Sequence, residues 1–217
     1  MLLSACATSP IEEPITTLPT KNLSLIEQYE LGKASIKDLS ANFIQKKIFT
    51  LFEEETLSSG KVYYQKPQQV IWSYEKPSQT KTLMKGDKAW AFFPDAQQIQ
   101  QVSIGGASAD RIFQILGLGN SKNKLEDSFL IKTLSDQKEG SYQFILTPQD
   151  KTLTPFYTEI TLHLSQDNFF PNHIILKETS GDITEIMFSK TKINSGLNSS
   201  LFDLEIPRGY ELINMSE

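Results

Sequence analysis

Across residues 60–77 apolar and polar positions alternate in two short runs, each closed by a Lys-Pro pair, and Val62, Tyr64, Val70, Trp72 and Tyr74 all share one parity. A strand period of two puts these five side chains on one face. Proline cannot donate to a sheet ladder, so Pro67 and Pro77 mark strand ends, and the spacing predicts a hairpin or meander in an antiparallel sheet. Its shared face is large and aromatic. Such a face fills an ordinary core or lines a site for an apolar ligand, and alternation alone does not choose between them.

The same reading extends along the chain. Leu23, Ile26 and Tyr29 or Glu30 fall at helical spacing, which predicts a helix over 23–31 capped by Asn22 or Ser24 and stopped by Gly32. Residues 39–52 read as a long strand whose imperfect alternation admits a bulge, ended by a turn at Ser58-Ser59-Gly60. Further strands are predicted over 81–85, 89–93 and 98–104, divided by Gly86-Asp87 and Pro94-Asp95. The period then changes. Over 107–118, Ile112, Ile115 and Leu116, with Phe113 nearby, lie at helical spacing, started by Ser108 or Asp110 and stopped by Gly117 and Gly119. Four more strands follow, over 142–147, 156–165, 173–179 and 183–190. Many strands and few helices predict a mainly β protein, a barrel or sandwich with short α-helices inserted.

Composition narrows the partners. The 217 residues are 39% hydrophobic and 22% charged, enough for one domain with a substantial core. A net charge of −5 and no basic stripe argue against a nucleic-acid partner. No apolar run approaches the roughly 18 residues of a membrane span. Cys6 is the only cysteine, so no internal disulfide forms. The sequence Leu3-Ser4-Ala5-Cys6 resembles the lipobox of bacterial lipoproteins, in which the cysteine receives lipid. Only five residues precede it, short of a signal peptide of about 15–30 residues, which leaves a start upstream of Met1 or a chance match. Residues 7–22 carry three prolines and little periodicity and read as a tether. The expected organisation is therefore a lipobox-like segment and tether over 1–22, and one domain over 23–217.

Enzyme readings find little support. His163 and His173 flank one predicted hairpin, but a zinc site normally takes three or four protein ligands. His163 shares the parity of Glu159 and Thr161, opposite Ile160, Leu162 and Leu164, as a solvated surface histidine does. There is no Gly-x-Ser-x-Gly elbow, and Gly117-Leu118-Gly119-Asn120 lacks Walker spacing. Glu53-Glu54-Glu55 reads as a solvated strand end. No catalytic residue, metal site or cofactor is expected.

Several of these elements occur in an order that resembles the LolA-type periplasmic carriers of outer-membrane lipoproteins. They are Phe43-x-Gln45, Gly60, Lys66-Pro67 with Trp72, Pro77, and Gly86 with Trp90, Phe92 and Pro94. Phe170-Pro171, Gly181-Asp182-Ile183-Thr184, Leu201-Phe202-Asp203-Leu204 and Pro207-Arg208-Gly209-Tyr210 continue the series over about 23–213. The resemblance implies an incomplete antiparallel β-barrel enclosing an apolar cavity under a helical lid. It implies acylated lipoproteins as partners, held against Phe43, Val62, Tyr64, Val70, Trp72 and Tyr74 from the sheet and Ile112, Ile115 and Leu116 from the lid. Transfer would run between the inner and outer membranes of a Gram-negative-type envelope, from an inner-membrane lipoprotein-release complex towards the outer membrane, by a monomer.

Two departures stand out. Lys66 occupies a position that is typically arginine in these carriers, where it latches the lid over the empty cavity; lysine keeps the charge and loses the planar fork. The second is Cys6, since a typical carrier is soluble and its receptor is the anchored protein. Lipidation of Cys6 would place the chain in the periplasm on the outer membrane, to which Ala7 points by analogy. The alternative function is a lipid-anchored envelope adaptor that binds a protein partner without moving lipid.

Overall fold

The computed structural model describes residues 23–105, 113, 115, 116, 118, 124–136 and 141–215. Helix α1, Leu25–Ser35, starts where a capping box starts it: Ser24 Oγ accepts from Glu27 N and Glu27 Oε2 accepts from Ser24 N. It runs through Gly32 rather than stopping there. A Cβ on Gly32 would lie 2.8 Å from the Asn168 carbonyl oxygen, so this glycine serves close approach to the 168–169 turn.

Twelve strands follow: β1 Asp38–Phe49, β2 Glu54–Gln65, β3 Gln69–Lys76, β4 Thr80–Lys85, β5 Lys88–Phe93, β6 Gln98–Ser103, β7 Phe129–Asp136, β8 Ser141–Pro148, β9 Tyr157–Leu164, β10 Pro171–Glu178, β11 Ile183–Ile193 and β12 Glu211–Met215. They form one sheet in the order β12-β6-β5-β4-β3-β2-β1-β11-β10-β9-β8-β7. Neighbouring strands are antiparallel except β12 and β6, which run parallel. β12 and β7 stand at the two edges, so the sheet is open, as an incomplete barrel requires.

The hairpin predicted from the Lys-Pro pairs is present, with Val62 opposite Trp72 and Tyr64 opposite Val70. The expected bulge in β1 is a register shift between Ser40 and Asn42 against β11. Ser58-Ser59-Gly60, however, lies inside β2, and the turn falls at residues 50–53. A Cβ at Gly60 would stand 1.9 Å from the Ser73 carbonyl oxygen, so this glycine also serves close approach, where the register slips between Ser59 and Gly60. β7 and β12 were not anticipated. Most of the segment expected to be helical over 107–118 lies outside the described residues, but Phe113 and Ile115 are helical.

The sheet carries a core on each face. The inner core gathers Leu39, Ala41 and Phe43 of β1, Val62 and Tyr64 of β2, Phe144 and Leu146 of β8, and Ile160 and Leu162 of β9, beneath Tyr29 of α1. The outer core is smaller: Ile71, Leu83, Trp90, Phe92 and Ile99 are covered by Phe202, Leu204 and Tyr210 of the C-terminal segment. That segment is pinned where it leaves β11. The Asp38 carboxylate, itself buried, accepts from the backbone N–H groups of Ser195 and Gly196 at 2.8 and 3.1 Å.

Candidate functional site

Parity and sheet order bring the expected lining residues together. Phe43 of β1, Val62 and Tyr64 of β2, and Val70 of β3 are each no more than 2% exposed. Trp72 and Tyr74 of β3, partly buried, pack against the same cluster, which also contains Ile115 and Leu116. The Phe43 ring is 4.6 Å from Trp72 and 5.1 Å from Tyr74, and Tyr64 is 5.9 Å from Phe113. Ile112 and Cys6 lie outside the described residues.

The C-terminal half supplies the opposite wall. Phe188 of β11 stands 6.0 Å from Trp72 and 5.7 Å from Phe170, while Phe144 of β8 meets Tyr29 edge-on at 5.3 Å. Sequence reasoning did not assign these residues to the site. The signal was available in the shared parity of Ile160, Leu162 and Leu164, and of Ile174 and Leu176.

Polar groups are few on this face. Tyr74 Oη donates to Gln45 Oε1 at 2.9 Å, and burial raises the Tyr74 pKa against the lowering effect of Trp72 and Gln45. The buried Trp72 indole N–H lies beside that hydroxyl, and its interaction with the oxygen is what opposes the rise. The Tyr29 hydroxyl is buried with no hydrogen-bond partner among the described residues; burial, with a smaller contribution from Glu30, raises its pKa far above the usual phenol value.

Lys66 sits at the end of β2 where the inner face meets α1. Its Nζ donates to the Ala34 carbonyl at 2.5 Å, in the last turn of the helix. Burial and the nearby Lys33 ammonium lower its pKa. On the other side of that helix, a groove of about 370 Å³ is lined by Leu23, Ile26, Leu31 and Ala34 with Glu30 and Lys124. It shares no residue with the expected lining.

The two histidines are cross-strand partners on the outer face, stacked at 4.8 Å and half-buried rather than freely solvated. His163 Nδ1 is 3.1 Å from Gln143 Nε2, and His173 Nε2 is 3.9 Å from Glu185 Oε2. Burial first, then the neighbouring imidazole, lowers the His163 pKa.

An open sheet whose two halves share one apolar inner face under a helix is an architecture suited to binding apolar ligands. The profile of the outer membrane lipoprotein carrier protein LolA matches residues 34–205, and the chain belongs to that family. It is 24% identical over 179 residues to an outer-membrane lipoprotein carrier protein of Chromohalobacter salexigens, covering 82% of this chain and 81% of the relative. It is 25% identical over 189 residues to the protein of that name in Francisella tularensis, covering 83% of each. Among solved structures, an uncharacterized conserved protein from Thermus thermophilus aligns with a TM-score of 0.55 at 11% identity, over 88% of this chain and 96% of that one, a likeness of fold. The family is one of periplasmic carriers, which bind cargo rather than transform it. No helix among the described residues is long and apolar enough to cross a membrane.

Proposed function

We propose that the inner face of the sheet takes up the acyl chains of lipoproteins and carries them between the inner and outer membranes. The observation that carries this reading is the convergence of Phe43, Val62, Tyr64, Val70, Trp72 and Tyr74 with Ile115 and Leu116 on one apolar face beneath α1. Hydrocarbon chains make no hydrogen bonds, so such a face needs only to exclude water, at about 0.8 kcal/mol per buried methylene. Loading displaces side chains that now pack on one another, and lifting α1 away from Lys66 is the motion that makes room. Cys6 and the tether preceding the domain belong to the same reading: acylation of Cys6 makes the chain an anchored receptor, and an unmodified Cys6 a diffusing carrier.

The test is uptake of an acylated peptide or a fluorescent fatty-acid probe by delipidated, folded protein. Saturable one-to-one binding is expected, tightening about 15-fold for each two methylenes added to the chain. Failure to bind either ligand, or affinity independent of chain length, refutes the reading. Mass spectrometry of the native protein then reports whether Cys6 carries lipid.

A further inference from the structure

The C-terminal segment covers the outer face of the sheet over β3–β6, but a recess of about 220 Å³ opens on that face where β11, β1 and β2 run side by side. Ser40 and Asn42 of β1, Lys61 and Tyr63 of β2, and Lys190 and Lys192 of β11 line it. Leu39, Ala41 and Phe43, which alternate with Ser40 and Asn42 along β1, point the other way into the inner core.

A bulge assembles the recess. β1 advances two residues from Ser40 to Asn42, while β11 advances three between their partners, Lys192 and Ser189. The extra residue reverses the alternation of β11. Lys192 therefore stands beside Ser40 on the outer face, whereas unbroken alternation from Met187 and Ser189 would turn it towards the core. Lys190, at the bulge, has φ of 53°, a left-handed conformation uncommon for a residue other than glycine. Across β1, Lys61 is the partner of Asn42 and Tyr63 that of Ser40. Three ammonium groups thus border one concavity.

Two of those charges have no counter-charge. Lys61 Nζ lies 2.8 Å from Glu75 Oε1, but neither Lys190 nor Lys192 has a carboxylate partner among the described residues. No acidic side chain lines the recess, on a chain whose net charge is −5. Like charges gathered in this way repel, and an anion between them offsets that cost. Ser40, Asn42 and Tyr63 add neutral donors. Phosphoryl oxygens suit such a site because they accept hydrogen bonds from several directions at once, and lysine binds phosphate as a point charge. The volume is about seven water molecules' share of liquid, room for a phosphate together with the alcohol it esterifies.

We infer that this recess binds a phosphate ester, anchored by Lys190 and Lys192, with Lys61 shared between the ligand and Glu75. The site lies across the sheet from the face proposed to take up acyl chains, so the two are occupied independently. A phospholipid head group and a small soluble phosphate ester present the same chemistry to it.

The experiment titrates full-length protein with glycerol 3-phosphate and, separately, with phosphatidylcholine vesicles containing or lacking phosphatidylglycerol. Saturable binding that weakens as salt is raised is expected in at least one arm. Retention only on vesicles with phosphatidylglycerol assigns a lipid head group, and binding of glycerol 3-phosphate without retention on vesicles assigns a soluble ester. The double variant Lys190→Gln/Lys192→Gln is expected to lose at least about tenfold in affinity in the arm that responds. Its denaturation midpoint and its affinity for a fluorescent fatty-acid probe should match those of the unaltered protein. Lys132→Gln/Lys151→Gln, which removes the same charge elsewhere, should stay within about twofold. No binding in either arm, or an equal loss in both double variants, overturns the inference. The acyl-binding reading is judged separately by the fatty-acid probe and survives either result.

Discussion

Replacing Lys66 with methionine tests whether α1 is held closed by that side chain. Methionine keeps an unbranched apolar stem and removes the ammonium that donates to the Ala34 carbonyl at 2.5 Å. Ala34 lies in the last turn of α1, where carbonyls lack intrahelical partners and a cation is favoured by the helix dipole. A hydrogen bond from a charged donor contributes about 1.5–3 kcal/mol. Partial burial and the nearby Lys33 charge, which lower the Lys66 pKa, take back part of that. A net loss of about 1–2 kcal/mol remains, which raises the ratio of lifted to docked helix about 5- to 30-fold. Other ties persist, notably Tyr29 against Phe144 and Leu125 N donating to Glu30 Oε1 at 3.0 Å, so the domain stays folded. Native-state hydrogen exchange is the direct assay: amides of α1 should exchange faster by that factor while those of β1 and β2 are unchanged. If lifting precedes loading, affinity for an acylated probe rises in the same direction, because less of the binding-competent state is hidden. Unchanged exchange in α1 would refute the latch, whatever the probe affinity.

Three further outcomes are expected. Gly60→Ala places a Cβ 1.9 Å from the Ser73 carbonyl oxygen, a backbone contact that cannot relax without breaking the β2–β3 register; chemical denaturation should show a loss of more than about 3 kcal/mol or no folded protein. Tyr29→Phe removes a buried hydroxyl with no partner among the described residues, so the denaturation midpoint should hold or rise, and a loss above about 1 kcal/mol would reveal a hydrogen bond unaccounted for. The His163 pKa is lowered from its usual 6.5, so the unfolded chain binds more protons near that pH. The corresponding stability is complete above about pH 6.5 and is lost as pH falls through it, a small effect at this half-exposed site. His163→Gln should flatten that part of a stability–pH profile, and an unchanged slope would refute the assignment.

Much of the inner face was legible in the residues because side-chain parity is a local property. Val62, Tyr64, Val70, Trp72 and Tyr74 alternate within one hairpin, and any sheet built from it turns them the same way. The cap at Ser24, the Gly86-Asp87 turn and the strand ends at the Lys-Pro pairs depend equally on near neighbours. Gly32 and Gly60 were misread for the complementary reason. A glycine that ends an element and one that admits a neighbouring backbone look alike in sequence, and the contacts concerned, with Asn168 and Ser73, are made only once the chain has folded back on itself.

The sequence by itself determined that the protein is mainly β, that one face of its central hairpin is aromatic, and that its ordered turns and prolines follow the lipoprotein-carrier pattern. Tertiary structure alone decided what that face meets. The pairing of β1 with β11 joins the two halves of the sheet and sets Phe188 against Trp72. The path of the C-terminal segment, pinned by Asp38, hides Trp90 and Phe92 in a second core on the opposite face. Those contacts close loops on the order of a hundred residues, and their choice rests on the summed burial of many side chains rather than on any local pattern. The Lys66–Ala34 hydrogen bond arises from the same packing of segments apart in sequence.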